Sequence, residues 1–278
     1  MLRFTQVDVF ADELTFGNAV AVVHDADPLD TEQMAAFARW TNLSETTFLC
    51  RPSDPAADYR LRIFTPAREL PFAGHPTLGS ARAWLTAGGT PRSPGEVIQE
   101  CGIGLVRLRR DGARFGFAAP QLIRGGPVDP AGLPELAGGL GVDVAEIVAA
   151  QWVDNGPGWV AVLLADADRV LALKPDPRAF GRFSNIGVVG PHPDGAETAF
   201  EVRAFVGGDS PFEDPVTGSL NAALGQWLIE SGRAPQSYVA SQGTRIGRRG
   251  RVHVEQVDGE VWVSGATTIG VSGAVALP

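Results

Sequence analysis

The chain has 278 residues, 44% hydrophobic and 20% charged, enough to bury two compact units or one large one without disulfides or metals. A formal net charge of −9 and a pI near 5.0 argue against nucleic acid or an anionic membrane as partner. Lys174 is the only lysine and sits in a turn-like Leu173-Lys174-Pro175-Asp176-Pro177, so pyridoxal chemistry lacks its Schiff base; no P-loop motif is present either.

The N-terminal ten residues carry Asp8 and lack a basic and apolar leader pattern, and no uncharged apolar run reaches the ~18 residues of a membrane span. The expectation is a cytoplasmic protein with no membrane partner. Cys50 and Cys101 are too few for a zinc site or a disulfide framework and read as buried free thiols. No metal site is expected.

In chain order, the periodicity predicts a strand over 18–24, a helix over 31–41, strands over 46–50 and 59–65, a helix over 76–87 and a hairpin at Asp111-Gly112. The pattern then repeats. Gly17 to Asp27 aligns with Gly158 to Asp168, and Arg62-Ile-Phe64 with Arg203-Ala-Phe205, both at an offset of 141. Pro71-Phe72 matches Pro211-Phe212 at 140, and His75-Pro76-Thr-Leu-Gly79-Ser80 matches Asp214-Pro215-Val-Thr-Gly218-Ser219 at 139. Asp258-Gly259 answers Asp111-Gly112, each a type I′ hairpin signature. The second copy reads as strands near 159–164, 185–190 and 200–206 and a helix over 216–231. This order predicts two homologous domains, 1–125 and 126–278, with the last strand free to return to the first, joined by the Pro- and Gly-rich segment 119–132.

The fold class is therefore α+β with mostly antiparallel sheets. The helices beginning at Pro76 and Pro215 are apolar all round and rich in Gly, Ser and Ala, so each is expected at the centre of its domain with the sheet wrapped around it. Proline favours the first helical position, which would put His75 and Asp214 at the N-caps. Such helix starts attract anions, and Gly74, Gly218 and Ser219 would add backbone or hydroxyl donors for a small carboxylate. Asp214 is equally a plain cap and Ser219 a plain helix residue. His24, His192 and His253 read as structural. Glu45 is the unmatched residue: it enters an apolar strand, while the second copy has no acid near Ser184-Asn185-Ile186. Buried there, a carboxylate has a raised pKa and suits general acid/base work.

Several segments resemble the phenazine-biosynthesis isomerase (PhzF-like) family, of diaminopimelate epimerase fold. They are Gly17-Asn18, Asn42-Leu-Ser-Glu45-Thr-Thr-Phe48, Ile63-Phe-Thr-Pro66, Glu69-Leu-Pro-Phe-Ala-Gly-His-Pro-Thr-Leu-Gly79, Glu213-Asp-Pro-Val-Thr-Gly-Ser219, and Gln242-Gly243 with Gly247-Arg248. The resemblance implies a diaminopimelate epimerase-like fold and a cofactor-free site at an interdomain cleft. The reaction it implies is isomerisation of the kind that moves a proton from C3 to C1 of trans-2,3-dihydro-3-hydroxyanthranilate. Glu45 would be the base and acid; His75 and Asp214, with Gly74, Gly218 and Ser219, would hold the substrate's carboxylate and amine and assist proton placement. A homodimer is expected by the same analogy. Relatives that racemise amino acids use two facing cysteines, and neither helix start here has one. Asp209, Phe212 and Asn221 depart from the family pattern and are expected to border the site and alter its shape. The competing readings are an epimerase or racemase using two opposed non-thiol groups, and a non-enzymatic small-anion binder.

Overall fold

The computed structural model describes residues 1–208 and 211–277. The chain divides into two compact units, Met1–Ala118 together with the chain from Ser264 on, and Ala119–Val263. The boundary thus falls at 118/119 rather than at 125/126.

The first unit holds β1 (Leu2–Val9), β2 (Asn18–Val23), α1 (Thr31–Thr41), β3 (Glu45–Cys50), β4 (Tyr59–Phe64), β5 (Glu69–Leu70), α2 (Gly74–Thr86), β6 (Glu96–Cys101), β7 (Gly104–Asp111) and β8 (Arg114–Ala118). Adjacent strands pair antiparallel except where a helix intervenes. The pairs β2 with β3, bridged by α1, and β4 with β6, bridged by α2, are parallel, because a parallel pair needs a crossover too long for a turn. Helix α1 is stopped at both ends by local chemistry. Asp30 and Gln33 form a reciprocal capping box, and Asn42 closes the helix at φ +54°. Its buried Met34, Phe37 and Ala38 cover one face of the sheet, where Phe37, Phe48 and Phe64 meet edge to face.

The other face wraps α2, whose residues Gly74 to Ala81 are all buried. Side chains there must be small. A Cβ on Gly79 would lie 2.4 Å from Val20 Cγ1 and 3.1 Å from Val9 Cγ2, so strands β1 and β2 can approach this helix only over a glycine.

The second unit repeats the plan with β9 (Arg124–Pro127), α3 (Leu133–Leu140), β10 (Ala149–Asp154), β11 (Trp159–Leu163), α4 (Ala167–Ala172), β12 (Asn185–Pro191), β13 (Phe200–Val206), β14 (Phe212–Asp214), α5 (Gly218–Glu230), β15 (Ser237–Gln242), β16 (Gly250–Val257) and β17 (Glu260–Val275). Again β11 pairs parallel with β12 across α4, and β13 parallel with β15 across the buried α5. The pairings between β12 and β13, β13 and β14, and β15 and β16 are antiparallel, as at the matching places of the first unit. The segment expected as a linker is not one: β9 pairs antiparallel with β10, and the Arg124 guanidinium lies 3.3 Å from the Trp152 ring centroid. Strand β17 begins in the second unit and ends in the first, where it pairs with β1.

Only one of the two predicted hairpins is type I′. Asp258 and Gly259 both have positive φ, 53° and 84°, as that turn requires. In the other, Asp111 pairs with Arg114, so the loop is Gly112-Ala113, and only Gly112 has positive φ. That is the pattern of a type II′ turn, with the glycine first.

Both cysteines are free, Cys50 buried and Cys101 half-buried, and burial pushes both thiols up. Among the described residues no helix is long and apolar enough to cross a membrane, and no group of three or more His, Cys, Asp or Glu is placed to hold a metal ion.

Two stability predictions follow from buried residues of the first unit. Gly79→Val forces a branched side chain against Val20 and Val9. It should lower stability by about 2 kcal/mol or more, read as a lower urea midpoint. His24 is buried beside Thr5, with its pKa pushed down to about 4 by burial and by Arg3. Unfolding therefore takes up a proton between pH 6.5 and pH 4. Stability should be level above 6.5 and fall as the pH drops through that window. Urea unfolding at pH 7.5 and 5 should show less of this loss in His24→Gln.

Candidate active site

Glu45 is the first residue of β3, opposite Val20 of β2 in the parallel register. The α2 N-terminus brings His75 to it: His75 Nε2 lies 3.4 Å from Glu45 Oε2, and both atoms are buried. On the other side of the ring, Nδ1 lies 3.4 Å from the Asn18 side-chain nitrogen. Burial pushes the His75 pKa down to about 3, against a smaller upward pull from the Ala19 carbonyl. The imidazole is thus neutral at ordinary pH. Because the Asn18 amide nitrogen only donates, Nδ1 is the acceptor and the single ring proton, on Nε2, faces Glu45, whose carboxylate or carboxylic carbonyl oxygen can take it without an imidazolium forming.

His75 is not the N-cap. Helix α2 starts at Gly74 with Ala73 as its cap, so His75 is second and Pro76 third. The reason is that the first helical N–H groups have no intrahelical acceptor, so a proline at the third position sacrifices no bond and the helix can begin two residues earlier. No side chain caps this end. The α2 N-terminus therefore places the backbone donors of Gly74 and His75 beside the Glu45–His75 pair, where a carboxylate would be favoured.

In the second unit Asp214 is not an N-cap either. It ends β14, paired with Ala204 of β13, while α5 starts at Gly218 with Thr217 as cap. Pro215 disfavours helical backbone at the residue before it, which keeps Asp214 extended. The link to the helix is instead a hydrogen bond of 2.6 Å from the Thr217 hydroxyl to Asp214 Oδ2. Gly218 and Ser219 form the first helical positions, again without a side-chain cap. Ser219 Oγ accepts from the Trp159 indole at 3.1 Å, and Asn155 donates to the Ser219 carbonyl at 2.9 Å. Because an indole N–H only donates, the serine's own proton is left to donate elsewhere.

Each unit therefore gathers its own candidate residues: Glu45, Gly74 and His75 in the first, Asp214, Gly218 and Ser219 in the second. The unmatched acid of the first unit, Glu45, now has a defined counterpart. Val20 pairs with Glu45, and its repeat equivalent Ala161 pairs with Gly187. A Cβ on Gly187 would come within 2.3 Å of Leu220 Cδ1. An isobutyl group fills the place that corresponds to the carboxylate.

Sequence reasoning missed several participants. Asn18 and Trp159 occupy the same place in the two repeats, each directly after a glycine, and each contacts the helix start of its own unit. Gln242 closes β15 and, with Thr217 and Asn221, forms a buried polar cluster around Asp214. Its only sequence signal was the Gln242-Gly243 motif. Asn221 is 1% exposed and belongs to that cluster, whereas Phe212 is 44% exposed; Asp209 lies outside the described residues.

The family model for phenazine biosynthesis-like protein (PhzC-PhzF) matches residues 7–273. The chain is 36% identical over 263 residues to a trans-2,3-dihydro-3-hydroxyanthranilate isomerase of Pseudomonas aeruginosa, covering 91% of this chain and 90% of that one. It is 36% identical over 261 residues to the antisense-enhancing sequence 1 protein of Schizosaccharomyces pombe, covering 88% and 87%. A crystal structure of a phenazine biosynthesis protein PhzF family member from Enterococcus faecalis superposes with a TM-score of 0.81 at 25% identity, covering all of both chains.

The buried histidine gives a direct check on this geometry. By ¹⁵N NMR of labelled histidines, the His75 ring should stay neutral from pH 8 down to pH 5. A midpoint near 6.5 would contradict the buried Glu45–His75 pair.

Proposed function

The chain belongs to the phenazine biosynthesis-like protein family and is an isomerase, and from that premise we propose that Glu45 moves a proton between two carbons of a small carboxylate-bearing substrate. A cyclic amino or hydroxy acid fits best, of the kind named for the Pseudomonas aeruginosa relative. The observation that supports this reading is Glu45 Oε2 at 3.4 Å from a buried His75 beside an uncapped helix start.

In this reading the Glu45 carboxylate takes a proton from one ring carbon and becomes the acid. The same carboxylic acid then returns it to a second carbon of the conjugated anion, so no proton is gained or lost. His75, neutral throughout, orients Glu45 and offers it the Nε2–H hydrogen bond as the proton moves. Gly74 supplies a backbone donor for the growing negative charge. Asp214, Gly218 and Ser219 are the proposed holders of the substrate's amine and carboxylate, since Asp214 accepts and the Ser219 hydroxyl is left to donate. A one-carboxylate shift is favoured over inversion by a pair of repeat-equivalent acids, because the equivalent of Glu45 is Gly187, whose side-chain place Leu220 fills.

Glu45→Gln keeps the shape and removes the base. It should lower turnover of trans-2,3-dihydro-3-hydroxyanthranilate roughly 10³-fold while leaving substrate binding within a few-fold of wild type. In D₂O the wild-type product should show less than full deuterium at the new C–H, since part of the proton returns from Glu45 before exchanging. Undiminished turnover in the variant would remove Glu45 from the mechanism.

A further inference from the structure

The cluster around Asp214 is ordered in a way that a simple structural filler does not need. We propose that Gln242 is a positioning residue which, through Thr217, holds Asp214 as an ionised hydrogen-bond acceptor. Its relevance to turnover rests on the role of Asp214 given above; its geometry does not.

The amide of Gln242 can be oriented in only one way. Its Nε2 lies 3.1 Å from the Asp214 carbonyl and 2.9 Å from Thr217 Oγ1, while Oε1 faces the Thr217 N–H at 3.0 Å and Asn221 Nδ2 at 2.8 Å. Turned over, its oxygen would oppose the Asp214 carbonyl and its nitrogen would oppose two donors. Asn221 is fixed in turn, because Nδ2 also donates to the Thr217 carbonyl at 2.9 Å. With one lone pair of the Thr217 hydroxyl occupied by Gln242, its proton is directed to Asp214 Oδ2 at 2.6 Å.

Every donor then has one destination, and the run ends on a carboxylate oxygen. An oxygen that receives a hydroxyl proton at this distance is held as an acceptor, which favours the charged form of Asp214. The members are almost wholly buried: Gln242 0%, Asn221 1%, Thr217 7% and Asp214 8% exposed. A low local dielectric strengthens each link. The backbone serves the same end, since β15 stops at Gln242 and Gly243 turns the chain away at φ +88°.

Other charges near these elements are engaged or constant. Arg203 on β13 holds Glu213 of β14 at 2.7 Å, and Glu201 on β13 is taken by Ser241 of β15 and His192 after β12. Burial pushes the Tyr238 hydroxyl of β15 upward, out of reach. Helix α5 has no charge before Glu230. On the segment that follows β15, Arg245, Arg248, Arg249 and Arg251, with His253 and Glu255 of β16, are common to all variants. Differences between variants therefore report the relay.

The test is the titration midpoint of the Asp214 carboxyl, followed by ¹³C NMR in aspartate-labelled protein and assigned with Asp214→Asn. Thr217→Val should raise it by about one unit, the size of one lost hydrogen bond to a charged group, and Thr217→Ser should restore it. Gln242→Met should raise it similarly, and the double variant Gln242→Met with Thr217→Val no further than Thr217→Val alone. Should Gln242→Met not fold, Gln242→Glu, whose carboxylate would draw the Thr217 proton away, should raise the midpoint in its place. An unshifted midpoint in Thr217→Val, or additive shifts in the double variant, would overturn the relay. With trans-2,3-dihydro-3-hydroxyanthranilate as substrate, kcat/KM should fall roughly tenfold in Thr217→Val and recover in Thr217→Ser. If the wild type itself does not turn over this compound, the substrate reading fails while the titration still decides the relay.

Discussion

A helix buried on every side is the constraint from which the rest of each unit follows. Helices α2 and α5 carry little charge, and a glycine stands where strands come closest, Gly79 under Val20 and Gly225 under Val254. At the start of each helix the backbone offers donors that no side chain caps, and a buried end in that condition calls for a partner. The crossover topology then decides what that partner sits beside. Pairing β2 parallel to β3 places Glu45 level with Val20, two residues from Asn18, and both Asn18 and Glu45 reach His75 at the start of α2.

Duplication supplied two such helix starts, and they have diverged in chemistry rather than in frame. The strand order, the two parallel crossovers and the buried helix recur. The side chains at the helix starts do not. In the first unit a carboxylate faces a neutral imidazole; in the second a glycine accommodates Leu220, and the acid has moved to the strand that precedes the helix. The first unit presents a carboxylate beside a neutral imidazole, the second a set of fixed donors and an acceptor. Repeat symmetry is thus useful mainly as a reference against which the exceptions stand out.

Most of the frame was legible because periodicity and internal repetition are properties of the sequence alone. Predicted and observed bounds of α1, β2, β4 and β13 differ by no more than one residue. The failures share a cause: each depended on a backbone choice that proline or glycine permits without dictating. Pro76 is compatible with the first or the third helical position; it takes the third, where His75 meets Asn18 of β2 and Glu45 of β3. Asp111-Gly112 admits two turn types, and the pairing of Asp111 with Arg114 selects between them. The segment 119–132 has linker composition, yet its extended backbone finds an unpaired edge at β10. Glu45, His75 and Asp214 were visible as residues. Their partners Asn18, Thr217 and Gln242 lay within the resembling motifs but without a role: Asn18 and Gln242 act over long sequence separations that leave no local pattern, and Thr217 three residues after Asp214 reads as an ordinary turn residue.

The neutral state of His75 bears on why a histidine stands there at all. A residue whose pKa is held near 3 is a poor proton donor or acceptor on its own account at ordinary pH. What it retains is one N–H and one lone pair on a rigid ring, anchored by Asn18 on one side and facing Glu45 on the other. An arginine or lysine in that place would pin Glu45 as a carboxylate and oppose its protonation. An apolar residue would leave the acid form without a partner. A neutral imidazole tolerates both forms: with Nδ1 accepting from Asn18, its Nε2–H can be given either to a carboxylate or to the carbonyl oxygen of the carboxylic acid. Burial, which costs the histidine its charge, therefore suits it to stand beside a carboxylate that, in the proposed mechanism, both takes a proton and gives it back.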